Sequence, residues 1–115
     1  MVDESPFDGF EDYQHPNWDG YGACCITPDT LLAAQRFCDS LPVRVSRPWV
    51  APAPDGTIGL EWLILPGFRK VFVDIGPGAI LSVYARRLDG EKMFAGPVGS
   101  DNRGLWWRVI FGFAH

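Results

Sequence analysis

The chain has 115 residues, 47% hydrophobic and 21% charged, which excludes a wholly disordered chain and suits one domain with its own core. No apolar run reaches the roughly 18–20 residues a membrane-spanning helix needs, and no basic start with an apolar core marks a secretory signal, so a cytoplasmic protein is expected. The net charge of −4 divides unevenly. Asp3, Glu4, Asp8, Glu11, Asp12 and Asp19 fall within residues 1–20, where there is no Lys or Arg, and the rest of the chain is mildly basic.

Cys24, Cys25 and Cys38 cannot all pair within one chain, and a bridge between neighbours strains the peptide joining them. Reduced, partly buried thiols are therefore expected. Basic residues are mostly Arg, and Ala, Gly and Pro are frequent, which fits a GC-rich bacterial or phage source.

Residues 1–16 read as an acidic aromatic arm, followed by a single α+β domain over residues 17–115. Phe7, Phe10 and Tyr13 recur at three-residue intervals among acids, while Pro6, Gly9 and Pro16 restrict any helix to one short turn over residues 8–13. Such rings pack either on the chain's own sheet or in a groove of a partner, toward whose basic surface the acids would steer.

Next comes Asn17-Trp18-Asp19-Gly20-Tyr21-Gly22-Ala23, which combines ring-bearing, turn-forming and glycine positions. It reads as a fixed turn in which Asn17 and Asp19 bond backbone amides and Trp18 and Tyr21 pack beneath the following helix. Thr27-Pro28-Asp29 starts that helix: Thr caps, Pro suits the first turn, and Asp complements the positive end of the dipole. Leu31, Ala33, Ala34, Phe37, Cys38 and Leu41 share one face, and Pro42 ends it.

Beyond Pro42 the period becomes two. Residues 43–50 read as a proline-containing edge strand or extended entry segment, and 51–56 as a stiff loop. Residues 57–65 alternate as a strand, with Ile58, Leu60, Trp62 and Ile64 on one face. Residues 69–75 return with Val71, Val73 and Ile75, and residues 79–86 follow after Gly76-Pro77-Gly78. Asp89-Gly90 marks a further turn, 93–98 a short strand interrupted by Gly96-Pro97, and 99–104 a polar loop. Residues 105–113 read as the strongest strand, with Leu105, Trp107, Val109, Phe111 and Phe113 on one face and Trp106, Arg108 and Ile110 on the other. The expected architecture is one N-terminal helix packed on an antiparallel β-meander of about four to six strands.

The stretch 17–23, the Ile26-Thr27-Pro28 helix start and the tripeptide Leu60-Glu61-Trp62 resemble a group of small bacterial and phage-borne proteins of unassigned function. The likeness covers about residues 17–86. It implies a fold of this kind and a microbial, mobile-element setting, and it carries over no catalytic residue.

The residues argue against several chemistries. A general base at Asp19 would need a partner, and only His15 stands near in sequence, with no recognisable nucleophile; a small hydrolase using Asp19 and His15 is the third-ranked reading. Cys24, Cys25, Cys38 and His15 lack a Cys-x-x-Cys pair, so neither a metal nor another cofactor is expected. Gly76-Pro77-Gly78-Ala79 precedes a strand and not a helix, which removes a phosphate loop.

The leading expectation is a non-enzymatic interaction module that inhibits or regulates a protein partner, of antitoxin, immunity or anti-CRISPR-like type. Its contacts would be Asp3, Glu4, Phe7, Asp8, Phe10, Glu11, Asp12 and Tyr13 of the arm with Trp106 and Arg108 of the aromatic segment, held in place by Asn17, Trp18, Asp19, Gly20, Tyr21 and Gly22. The second is a nucleic-acid-binding module whose sheet face presents Arg44, Arg47, Arg69, Lys70, Arg86, Arg87, Arg103 and Arg108 among Trp49, Trp62, Trp106 and Trp107.

Overall fold

Five strands run antiparallel and lie side by side in the order of the chain: β1 (Trp49–Pro52), β2 (Ile58–Trp62), β3 (Phe68–Gly76), β4 (Ile80–Arg87) and β5 (Lys92–Gly99). The architecture comes from a computed structural model that describes residues 7–41, 45–63, 65–99 and 104–111. Helix α1 (Pro28–Asp39) precedes the sheet and helix α2 (Gly104–Phe111) follows it, giving the expected α+β meander. Helix α1 is not the N-terminal element, because a 3-10 turn at Phe10–Tyr13 comes first.

The start of α1 follows its residues. The Thr30 amide donates to Thr27 Oγ1 at 3.2 Å, and Pro28 occupies the first turn, where a missing N–H costs nothing. Thr30, Ala34 and Phe37 are buried at intervals of four and three, the spacing of one helical face. Thr30 is tolerated there because its hydroxyl is bonded to that of Thr27 at 2.9 Å.

The sheet turns one face to the helices. Ile58, Leu60 and Trp62 of β2, Val71, Val73 and Ile75 of β3, and Leu81, Val83 and Ala85 of β4 are all within 3% of full burial. Each larger side chain among them contributes roughly 1.5–3 kcal/mol by leaving water. The Trp62 indole N–H donates to the Ser46 carbonyl at 2.7 Å, so its one polar atom is satisfied.

Residues 105–111 are not a strand, as their alternation suggests, but part of α2, and residues 112–113 of the expected strand lie outside the described part. When nearly every residue is apolar, a period of two and a period of 3.6 fit equally well, and packing decides. The helix carries Ile110 and Phe111 into the core at 0% exposure, with Trp107 one turn earlier. Trp107 and Phe111 meet Phe37 of α1 at ring-centre distances of 5.5 and 6.3 Å, and Phe111 meets Trp62 at 5.1 Å. As a strand, Ile110 would face away from both.

The arm is not a separate segment over its described part. Phe7 and Phe10 belong to the core, 6% and 4% exposed, and the rings of Phe7, Phe10, Tyr13 and Trp18 form an edge-to-face chain with steps of 5.6, 5.0 and 4.9 Å. The Ile26 amide donates to the Tyr13 carbonyl at 2.7 Å, tying the arm to the segment that leads into α1.

Smaller differences lie at the sheet edges. Strand β1 occupies 49–52 where a strand over 43–50 and a loop from 51 are expected; residues 42–44 lie outside the described part, as do 64 and 100–103. Pro52 is accommodated because β1 is an edge strand. Strand β5 is continuous through Gly96-Pro97, with the pairing shifting between Leu81 and Val83 of β4. Gly96 has φ +98°, and a Cβ there would stand 2.4 Å from the Leu81 carbonyl oxygen. Gly96→Ala is therefore expected to cost about 2 kcal/mol or more in a urea unfolding titration, since backbone must move to admit the methyl.

Candidate functional site: the open face of the sheet

Side chains alternate along a strand, so the residues between the core positions project from the opposite side of the sheet. Register places them in rows. Trp49 stands opposite Glu61, Glu61 opposite Phe72, Phe72 opposite Tyr84, and Tyr84 opposite Phe94, one row across all five strands. Two residues along the strands, Lys70, Arg86 and Lys92 form a basic row on β3, β4 and β5. Two residues the other way lie Ala51, Gly59, Asp74 and Ser82.

This face carries more than half of the exposed large hydrophobic residues among those described. Four of the seven exposed large hydrophobic residues, Trp49, Leu63, Ile80 and Phe94, follow the outward alternation of β1, β2, β4 and β5. Trp49 and Phe94, at the two ends of the aromatic row, are 73% and 72% exposed. Exposed apolar residues that share one face are a common feature of interaction surfaces, whereas single exposed residues such as Leu32 need no explanation.

Phe72 is the centre of the row. A Cβ on Gly59 would lie 2.8 Å from Phe72 Cζ, so the glycine lets the ring lean over β2. Two shallow hollows flank it. One, of about 150 Å³, is lined by Trp49, Gly59, Glu61, Phe72 and Asp74; the other, of about 260 Å³, by Phe72, Asp74, Tyr84, Phe94 and Gly96. Tyr84 and Phe94 close the second with ring centres 5.1 Å apart.

The electrostatics of the face are graded. Lys70 Nζ is 3.1 Å from Glu61 Oε2, a partly solvated pair of small energetic weight. Arg86 and Lys92 are exposed. At the other end, burial and the nearby Asp55 carboxylate push the Asp74 carboxyl above its ordinary value. Asp55 shifts the opposite way, lowered by the Thr57 hydroxyl and amide that bond it at 2.7 and 3.0 Å.

The sign for Asp74 is definite. Between its unfolded and folded pKa values the folded chain holds more protons, so stability falls as pH rises through that window. Asp74→Asn should raise the thermal midpoint at pH 7. The gain should disappear below the unfolded carboxylate pKa, where both states are neutral; an equal gain at pH 3 would contradict this.

The residues singled out in the sequence fall elsewhere. Phe7 and Phe10 are core, which removes them as partner contacts, and Tyr13 is half-buried against Trp18. Asp8, Glu11 and Asp12 are exposed, while Asp3 and Glu4 lie outside the described residues. Arg108 is exposed on α2; the side chain of Trp106 is also outside the described part.

The 17–23 turn closes on itself. Asp19 Oδ1 accepts from the Tyr21 and Ala23 amides at 2.8 and 3.1 Å, and the Gly22 amide donates to Asn17 Oδ1. The Asn17 amide donates to the Ala23 carbonyl at 2.7 Å, and Trp18 Nε1 donates to the Cys24 carbonyl at 2.9 Å. Gly20 and Gly22 supply the φ values of +79° and +83° that the path requires. Tyr21 does not pack beneath the helix: it is 92% exposed.

Asp19 is thus occupied by the turn, and among the described residues no hydrogen bond joins it to the exposed His15. Nor does any group of three His, Cys, Asp or Glu among them stand close enough to hold a metal ion. Cys38 is pushed up to about 11, chiefly by burial, so its thiol stays protonated at neutral pH. No described helix is long and apolar enough to cross a membrane.

The Arg/Trp set expected from the sequence is divided: Trp49, Lys70 and Arg86 share the open face, and others lie elsewhere. Trp62 is core, Trp107 packs on Phe37, and Arg44 and Arg103 lie outside the described residues. Arg69 bonds the Leu88 carbonyl at 3.2 Å, and Arg87 lies 5.8 Å from the centre of the Phe68 ring. The aromatic row that does exist, built from Trp49, Phe72, Tyr84 and Phe94, was hidden because only pairing register brings four strands' outward residues together.

No protein-family model matches the chain, and neither curated proteins nor solved structures show a detectable match to it.

Proposed function

We propose that this protein is a non-enzymatic binding module whose working surface is the open face of the sheet and whose partner is another protein. The observation that carries the reading is the exposed aromatic row, anchored by Trp49 and Phe94, on a face that no described element covers. Aromatic and Arg side chains concentrate binding energy at protein interfaces, and Arg86 stands beside the row. Asp8, Glu11 and Asp12 remain solvent-facing and would speed encounter with a basic partner without forming its main contact.

A bacterial or phage setting is part of the same proposal and is supported by sequence motifs alone, those of residues 17–23, 26–28 and 60–62. Inhibition or regulation of the partner, in the manner of an antitoxin, immunity or anti-defence protein, is the corresponding biological proposal.

The test is affinity capture from a bacterial extract with the full chain and three variants. Trp49→Ala/Phe94→Ala should lose the captured protein, while Leu32→Ala and Asp8→Asn/Glu11→Gln/Asp12→Asn should retain it, the latter with slower association. Undiminished capture by the Trp49/Phe94 variant would refute the reading.

A second reading is favoured by one observation, the in-register row of Lys70, Arg86 and Lys92 beside the rings. Single-stranded nucleic acid stacks on aromatics and pairs its phosphates with such cations. Binding of an oligonucleotide that weakens steeply with salt and is lost in Arg86→Ala/Lys92→Ala would establish it.

A further inference from the structure

We infer that the hollow between Trp49 and Phe72 receives the guanidinium of an arginine side chain presented by the partner protein, held against the two rings and paired with the Asp74 carboxylate. The inference deepens the binding-module reading and rests on it.

Three strands build the slot. Trp49 of β1 and Phe72 of β3 stand on either side of Glu61 of β2, so two strand spacings, about 9.6 Å, separate their backbones. Two residues along β2 from Glu61 is Gly59, which has no side chain to fill the space between them. Phe72 leans over Gly59 and narrows the gap from one side. A flat group held between two rings needs about 7 Å, twice a carbon contact distance of roughly 3.5 Å. The slot is of that order.

Charge selects the occupant. Asp74 stands opposite Gly59, borders the hollow and is half-buried. Among the described residues no hydrogen bond or ion pair reaches its carboxylate, and the charge that acts on it is the like charge of Asp55. Glu61 is already engaged by Lys70 at 3.1 Å, so Asp74 is the carboxylate left to meet a donor. A half-buried acceptor without a partner is unfavourable in the free chain, and an incoming donor relieves it. A cation relieves it further, because it offsets the Asp55–Asp74 repulsion and is attracted to the faces of Trp and Phe. Arginine suits the slot better than lysine. Its guanidinium is planar, stacks on rings and offers two parallel N–H donors to one carboxylate, whereas an ammonium is a compact, strongly hydrated point charge. Phe72 and Asp74 also border the second hollow, so the contact continues from the arginine toward Tyr84 and Phe94.

The test is a nuclear magnetic resonance titration of the nitrogen-15-labelled full chain at physiological ionic strength. Three blocked tripeptides, Gly-X-Gly, carry arginine, lysine or citrulline at X, the last being the uncharged counterpart of arginine. The arginine peptide should shift the Trp49 indole N–H and the Gly59 and Asp74 amides, with a dissociation constant in the millimolar range expected for one side chain. Lysine should bind a few times more weakly and citrulline about tenfold more weakly or worse. Asp74→Asn, expected above to be more stable than the wild type, should keep the spectrum of a folded chain and weaken the arginine peptide about tenfold. Trp49→Ala, at an exposed position, should weaken it severalfold. Asp8→Asn/Glu11→Gln/Asp12→Asn should change it less than about twofold, since screened surface charges contribute little.

No shift at Trp49, Gly59 and Asp74 by about 20 mM arginine peptide overturns the slot. Equal binding of citrulline or lysine, or undiminished binding by Asp74→Asn, also overturns it, as does loss of binding in the arm variant. The binding-module reading falls on a different result, capture from the extract that survives loss of Trp49 and Phe94. Silent peptides together with capture that depends on Trp49 and Phe94 remove the arginine slot and leave that reading standing.

Discussion

Phe10→Ala is expected to lower the unfolding free energy by about 3–5 kcal/mol, the range for truncating a buried Phe. A domain of this size has about 5–15 kcal/mol in total, so the variant stands near the edge of folding. The reason is local. Phe10 is 4% exposed and joins Phe7 to Tyr13 in the ring chain that leads to Trp18. Removing its ring leaves a cavity that stiff neighbours cannot fill. Urea titration followed by Trp fluorescence measures the loss. An arm that served only to dock on a partner would leave the midpoint unchanged. In contrast, neutralising the exposed Glu11 should change stability by no more than about 0.5 kcal/mol.

Ile110→Ala and Phe111→Ala should each cost about 2–5 kcal/mol. These two test the helical state of 104–111 directly. Both residues are fully buried, a quarter-turn apart on one face of α2, and Phe111 touches Trp62 of the sheet and Phe37 of α1. In a strand they would point to opposite sides, so one substitution would be costly and the other nearly neutral. Comparable losses from both establish the helix. A loss from Phe111→Ala alone would restore the strand.

Much of the sheet was readable from residue order alone. Thr27-Pro28 set the start of α1 through capping and the φ of proline, and alternation over Ile58, Leu60 and Trp62 and over Val71, Val73 and Ile75 gave the inward face of β2 and β3. The fate of 104–111 was not readable, because a segment apolar on every side is compatible with either period until its neighbours are known. The arm was ambiguous for a related reason: spaced rings among acids describe a docking segment equally well whether the groove is its own or a partner's.

The site was the least legible part. Phe72, Tyr84 and Phe94 each read as an ordinary outward residue of its strand, and Trp49 sits between prolines. Nothing local links them. Their common row depends on the pairings Glu61 to Phe72 and Tyr84 to Phe94, which are long-range facts of register. The 17–23 turn drew attention for its Asp, Asn and glycines, yet its polar atoms are spent on its own amides. It anchors the arm's end, and the proposed binding surface lies on another part of the molecule.

Site-specific photocrosslinking addresses the central claim most directly. A crosslinking residue placed at Phe94, on the open face, is compared in a bacterial extract with one placed at Leu32, on the exposed side of α1. Position 94 is expected to yield a discrete protein adduct, and position 32 to yield none. Adducts from position 32 with none from position 94 would contradict the assignment of function to the open face.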